Sequence, residues 1–317
     1  MNPERIKSNA AFQLGWYYRL ELAPGLFTPG VDHAGVVQTR DLLERTDAEN
    51  GGCDGGPASC LDIGLQEGMI PLLLARRGVN DVLGYDRALR TSRLNLVESA
   101  LDHKFDLIGG MSLQQLPAAL KQAGRGPFDL VVFSGVAYHM FDPMGGLAVV
   151  RGLVRDGGIC VFETTVAFDD SDAMFFNSRG RFTPQGLWFM TPSCVDYLLR
   201  FVHFEPLDAV FLSGQPAKGA KPAQGRIAVA CRAVPDAVSA GGDEWISAYG
   251  FLKDFAEFLD WEALKLKNEA PPVGYNAERK GLVRRDDGSL DIGATVAQGS
   301  PLRIDRARTN LGLGDKY

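Results

Sequence analysis

From residue 59 onward, short apolar runs alternate with segments whose apolar residues recur every three or four positions. The runs SCLDI, DVLGYD, FDLIGG, FDLVVFSG and GICVFETT lack the strict alternation of a half-solvated strand, so each predicts a strand buried on both faces. Between them, 69–77, 90–100, 113–123 and 144–154 carry helical spacing, with Leu94, Val97 and Leu101 on one face. Gly78 and the stretch Asp156-Gly-Gly158 are suited to helix ends. A further helix is predicted over 192–201, capped by Thr191 or Ser193. The last two runs, DAVFL and RIAVACRA, have no convincing helix between them and predict an antiparallel hairpin. Strands alternating with helices define an α/β protein whose mostly parallel sheet is covered on both faces.

The flanks read differently. Residues 1–46 predict a helical lid followed by the turn-rich LAPGLFTPG, residues 47–235 the α/β core, and residues 236–317 a helical extension with a polar tail. DAENGGCDGGPAS at 47–59 has no periodicity and predicts a surface loop. In 243–268, Trp245, Phe251, Phe255, Phe258 and Trp261 recur at helical spacing. That face is expected to pack on the core or on a second copy, which makes this extension the candidate homodimer contact.

Composition narrows the partners. A formal net charge of −6 argues against a phosphate backbone as the main partner, because such affinity rests on clustered Lys and Arg. No apolar stretch has membrane-spanning length. The 5 cysteines contain no C-x-x-C pair, and Cys60 and Cys160 sit in apolar runs, as buried thiols in a reduced cytoplasmic protein would. The Asp169, Asp170 and Asp172 run predicts a solvated loop, and no metal site is expected. His33, His103 and His203 show no ligand spacing and receive no function.

The chemistry concentrates in CLDIGLQEGMIPLLLARRGVNDVLGYD, residues 60–86. A strand ends at Asp62, Gly64 and Gly68 bracket a turn, a helix follows, and a second strand ends at Asp86. Glycines allow close backbone approach to a ligand, and an acid at the second strand end suits two ribose hydroxyls. The spacing D-x-G-x-x-x-G is not the G-x-G-x-x-G of nicotinamide enzymes. Asp62 and Glu67 place carboxylates where a pyrophosphate would be repelled, and a sulfonium cofactor, S-adenosylmethionine, is the better match.

These residues resemble the first two strands of class I S-adenosylmethionine-dependent methyltransferases. FDLVVFSGVAYHMFDPMGGLAVVRGLVRDGGICVFETT resembles their later segment, and SLQQLPAAL, VAYHMFDP and LWFMTPS are similar to the branch that includes the tRNA wobble-uridine carboxymethyl transferases. The resemblance implies a Rossmann-like, seven-stranded core with S-adenosylmethionine held by Asp62, Gly64, Gly68 and Asp86, with Gln66 and Arg87 beside them. Ser112, Leu113 and Ser134 are weaker carry-overs. Gln66 stands where many members have a third glycine, and Ser112 where many have an acid. A carboxymethyl cofactor would need a basic partner. Arg179 and Arg181 lie near the right place but out of register, so plain S-adenosylmethionine is expected. His139 and Glu163 are the candidate general bases, each with a structural alternative. Trp16, Tyr17, Tyr138, Phe176 and Trp188 are the candidate acceptor contacts. The expected activity is methyl transfer to oxygen or nitrogen of a small molecule. An RNA-modifying enzyme and a noncatalytic cofactor-binding scaffold remain the alternatives.

Overall fold

The buried runs become the strands of one sheet. The computed structural model describes residues 1–45, 58–177, 186–213, 223–234 and 281–298. Strands β1 (Glu21–Ala23) and β2 (Leu26–Phe27) form a small separate hairpin. The main sheet contains β3 (Ser59–Ile63), β4 (Asp81–Asp86), β5 (Asp106–Gly109), β6 (Phe128–Ser134), β7 (Val154–Phe168), β8 (Met174–Phe176), β9 (Trp188–Met190), β10 (Phe204–Ser213) and β11 (Ala223–Ala233). Seven of these follow the order β10-β11-β7-β6-β3-β4-β5, and β8 and β9 attach at the far end of β7. Strands β3 to β7 pair in parallel, while β11 runs antiparallel to both β7 and β10. The expected edge hairpin is present, with its second strand tucked inward against β7.

Successive residues of each strand feed opposite cores. Cys60, Leu130, Val132 and Val161 pack with α2 (Ala34–Leu43), α3 (Met69–Arg76) and α4 (Thr91–Leu101). Leu61, Ile63, Val131, Phe133 and Phe162 pack with α5 (Leu116–Gln122), α6 (Pro143–Leu153) and α7 (Pro192–Phe201). Both faces are therefore dry, which is why the strands read as continuous apolar runs. Each such Val, Leu or Phe contributes about 1.5–3 kcal/mol of burial free energy.

Three elements differ from the sequence expectation. Helix α6 does not run on to Asp156-Gly-Gly158; it stops at Leu153 and β7 starts at Val154. The glycines lie in a strand irregularity, where Phe128 pairs with Val154 but Leu130 pairs with Ile159. A Cβ at Gly158 would sit 2.9 Å from the carbonyl oxygens of Arg155 and Asp129. The 113–123 helix divides into a 3-10 turn, Leu113–Gln115, with a Ser112/Gln115 capping box, followed by α5. Helix α2 was not expected: its buried face includes Gln38 and Thr39, which interrupt the apolar stripe. The predicted helix over 243–268 and its dimer contact lie outside the described residues. Residues 281–298 return to the core, where Leu290 and Ile292 are buried and the Leu290 carbonyl accepts Arg200 Nη2 at 2.6 Å.

The Thr191 cap is as expected: its side chain accepts from Cys194 N at 3.2 Å and also from Ala173 N at 3.2 Å. Because Thr191 is fully buried, Thr191→Ala orphans both donors. Urea unfolding is expected to show a loss of about 1–2 kcal/mol, the upper part of the range for a lost cap.

Candidate active site

The chain runs outward from β3 through β4 to β5, then returns to place β6 on the other side of β3. Open α/β sheets bind ligands at the carboxyl edge of such a reversal. A cavity of about 480 Å³ lies there. On the β4–β5 side its walls include Gly64, Gln66, Asp86, Arg87, Ser112 and Leu113. On the β6–β7–β11 side they include Tyr17, His33, Ser134, His139, Glu163 and Arg226.

The first wall is a cradle built by backbone conformation. Gly64 has φ +92°, and a Cβ there would lie 2.4 Å from Val136 Cγ2, so only glycine allows the turn. Asp86 ends β4 and accepts Gln66 N at 3.2 Å through Oδ2 and Ala88 N at 2.9 Å through Oδ1. A carboxylate oxygen accepts more than one hydrogen bond, so Asp86 keeps capacity for ligand hydroxyls. Gln66, at the position where glycine is common, takes a left-handed φ of +53°. Its Oε1 accepts Arg90 Nε at 2.6 Å, which ties the loop to the start of α4.

Not every residue singled out from the sequence reaches the cavity. Glu67 is fully buried and turned toward the N-terminal segment. It accepts Tyr17 N and Tyr18 N at 3.3 Å each and Arg93 Nη1 at 2.7 Å. Asp62 is buried behind the loop, and desolvation, then the Asp86 charge, pushes its carboxyl pKa well up. Neither of the two carboxylates expected to attract a cation, Asp62 and Glu67, lines the cavity. A Cβ at Gly68 would meet the Phe105 ring at 2.5 Å, so this glycine serves loop packing. Trp16 is buried, its Nε1 donating to the Ala11 and Phe12 carbonyls at 3.1 and 3.2 Å, away from the cavity wall. Tyr138 is buried beneath Arg226. Phe176 and Trp188 pair with each other on the β8–β9 ribbon, 5.2 Å between centroids, and do not line the cavity. Arg179 and Arg181 lie outside the described residues.

Glu67 has a testable structural role. Glu67→Ala removes three hydrogen bonds that hold residues 15–18 down and leaves Arg93 without its carboxylate. Each charge-assisted bond is worth about 1.5–3 kcal/mol. Tryptic cleavage at Arg19 under native conditions is expected to accelerate by about tenfold or more.

The second wall centres on an ion pair. Glu163, fully buried in β7, stands opposite Ser134 of β6 on one side and Ala228 of β11 on the other. Arg226 lies two residues before Ala228, so both charges project from the same sheet face. Arg226 donates through Nε to Glu163 Oε1 at 2.6 Å and through Nη2 to Oε2 at 2.9 Å. Ser134 Oγ is 3.3 Å from Glu163 Oε2 and 2.8 Å from Thr39 Oγ1. Nη2 also reaches Tyr138 Oη at 3.4 Å. Helix α2 frames the group: a Cβ on Gly35 would sit 2.9 Å from the Glu163 carboxylate, and Gln38 Nε2 donates to the Arg226 carbonyl at 3.1 Å.

With both oxygens claimed by one guanidinium, Glu163 is a poor proton acceptor, and its geometry is that of a positioning group. His139 lies at the exposed rim. Desolvation, then the Arg226 charge, lowers its pKa below the usual histidine value, so the ring is neutral near pH 7. Arg226 and His33 were not among the residues chosen from the sequence. A usable signal existed for Arg226: two lone opposite charges, Glu163 and Arg226, sit in neighbouring apolar strands, and buried charges require partners. His33 carried no comparable signal.

Fold and cavity together define an open α/β domain with a ligand-sized space at its strand reversal, lined there by Asp86 and the Gly64 loop. The family model described as a methyltransferase domain matches residues 37–205, more than half of the chain. This protein belongs to that methyltransferase family, and S-adenosylmethionine is its cofactor. It is 31% identical over 158 residues to a ubiquinone biosynthesis O-methyltransferase of Cereibacter sphaeroides, a match covering 47% of this chain and 60% of the relative. It is 33% identical over 75 residues to a tRNA U34 carboxymethyltransferase of Dichelobacter nodosus, 24% of each chain. The crystal structure of the N-terminal domain of EvdMO1 with SAH bound shares the fold at a TM-score of 0.51 and 18% identity, covering 74% of this chain and 98% of that one. The curated O-methyltransferase relative is thus matched over less than two thirds of its length.

The cradle fits the cofactor. Asp86 offers an acceptor at the cavity wall, and Ser112 and Leu113 line the same side of the cavity. Gly64 lets the loop pack directly against Val136 at the cavity wall. Among the described residues no helix is long and apolar enough to cross a membrane.

Proposed function

We propose that the protein transfers a methyl group from S-adenosylmethionine to an oxygen or nitrogen atom of a small-molecule acceptor in the cytoplasm. The observation that carries this reading is the continuity of one cavity from the Asp86 cradle to the polar wall of Ser134, Glu163 and Arg226. A cofactor held by the first wall and a small acceptor held at the second would share one continuous cavity. The O-methyltransferase relative supports oxygen as the acceptor atom.

Bound in the cradle, S-adenosylmethionine supplies a methyl group already activated by the sulfonium. The protein's remaining tasks are alignment and exclusion of water. Asp86 orients the ribose. Tyr17, stapled over the cavity by Glu67, forms part of its cover. The Glu163–Arg226 pair fixes the floor, with Tyr138 and Ser134 locking its orientation.

Calorimetric titration with S-adenosylhomocysteine, with NADH as control, tests the cofactor half. Saturable binding of the first alone is expected. Binding with no methylated product across oxygen and nitrogen acceptors would instead support a scaffold.

A further inference from the structure

His33 sits at the entrance to α2, half-buried, with its ring stacked on Tyr17 at 3.7 Å between centroids and 8° between planes. Its Nε2 is 3.0 Å from the Tyr17 carbonyl oxygen. A carbonyl only accepts, so Nε2 carries the hydrogen, and a neutral ring then has a bare Nδ1. That nitrogen makes no hydrogen bond among the described residues. The ring lines the cavity on the same wall as Arg226, whose Nη1 is likewise without a partner among the described residues.

The groups facing His33 are Tyr17, Tyr18, Arg226, Asp32 and Glu163. Asp32 lies 3.8 Å from Arg19, and Glu163 is matched by Arg226. Desolvation dominates, and the ring's pKa falls below its ordinary value of 6.5 despite the Tyr17 carbonyl. Neutrality at pH 7 is what a proton acceptor needs. The other candidates are worse placed: Glu163 has both oxygens engaged, and His139 is at the solvent rim.

Resting on the methyltransferase reading, we propose that His33 Nδ1 is the general base, and that the acceptor it serves is a hydroxyl acidic enough to lose its proton as it reacts, for which phenols of graded acidity are the probes. The acceptor O–H bond breaks with its proton moving to Nδ1. The oxygen pair forms the new C–O bond as the methyl–sulfur bond breaks, its pair going to sulfur, and His33 later releases the proton to water. Arg226 Nη1, a donor only, favours a developing oxyanion and disfavours an ammonium, which selects oxygen over nitrogen.

The test uses the full chain and simple phenols from 4-methylphenol to 4-nitrophenol, read as methyl ether by mass spectrometry. His33→Gln keeps an amide donor for the Tyr17 carbonyl and removes the base. Its expected loss of kcat is about 10²–10⁴-fold on 4-methylphenol, and much less on 4-nitrophenol, which is already anionic at pH 8. Binding of S-adenosylhomocysteine is expected to stay unchanged. The acid limb of wild-type turnover is expected below pH 6.5, the ordinary histidine value. A second readout needs no turnover: the chain has only 4 histidines, so ¹⁵N-histidine spectra can resolve each ring. His33 is expected as the Nε2–H tautomer at pH 7. An Nδ1–H tautomer, a protonated ring, equal losses on both phenols, or undiminished turnover would each overturn the proposal. Cofactor binding with amines methylated and phenols untouched, or with no acceptor methylated, also overturns it. No S-adenosylhomocysteine binding would sink the underlying reading instead.

Discussion

Arg226→Met is expected to unfold about 3–5 kcal/mol more easily than the parent, the cost of stranding a buried carboxylate. Glu163 is fully buried in β7 and takes two of its hydrogen bonds from this one guanidinium. Ser134 is its other partner, at 3.3 Å, and a hydroxyl cannot replace a cation. The Arg226 stem is mostly covered, so methionine conserves much of the packing and the loss reports charge. The double variant Arg226→Met/Glu163→Gln is expected to recover most of the stability, because replacing both members of a buried pair costs far less than removing one. Denaturant melts of parent, single and double variants give the coupling directly. Additive losses would mean that the two residues do not share their energy.

Asp86→Ala is expected to weaken S-adenosylhomocysteine binding by about tenfold to a few hundredfold, from lost charge-assisted hydrogen bonds worth about 1.5–3 kcal/mol. Two effects combine. The carboxylate no longer meets the ribose hydroxyls, and Gln66 N and Ala88 N lose the acceptor that shapes the loop. The surroundings of Asp62 change as well, since the Asp86 charge is one cause of its raised pKa. Global stability is expected to move little, because Asp86 sits at a strand end and lines the cavity. Calorimetry on the folded variant decides it. Unchanged affinity would remove Asp86 from the cofactor site.

The wall of the cavity that carries Asp86 and Gly64 was legible in sequence because strand ends and glycine turns are local. Asp86 ends an apolar run, and Gly64 stands where a tight turn must follow, so both positions follow from a few consecutive residues. Side-chain direction within that loop was not legible. Glu67 reads as a ligand-facing acid, yet the left-handed residues Gln66 and Gly68 on either side rotate it toward Arg93. Helix α2 escaped because Gln38 and Thr39, polar in a helix pattern, are buried against strand carbonyls and Ser134. The aromatic candidates failed for a related reason. Trp16 donates to nearby backbone, Phe176 and Trp188 pack ring against ring, and only the tertiary fold separates such packing from a cavity wall. The Glu163–Arg226 pair joins residues 63 apart across the β7–β11 register, which periodicity does not specify.

Gln38 closes a contact with the Arg226 carbonyl across 188 residues. The two walls of the cavity therefore mature at different moments of synthesis. Everything from β3 to the strand reversal at β6 is consecutive, so the Asp86 cradle can take shape once that stretch has left the ribosome. The Glu163–Arg226 wall has to wait for β11, then recruit α2 from near the start of the chain, and such long loop closures come late in folding. A nascent chain arrested before residue 223 would carry the Asp86 wall without the Glu163–Arg226 pair opposite it.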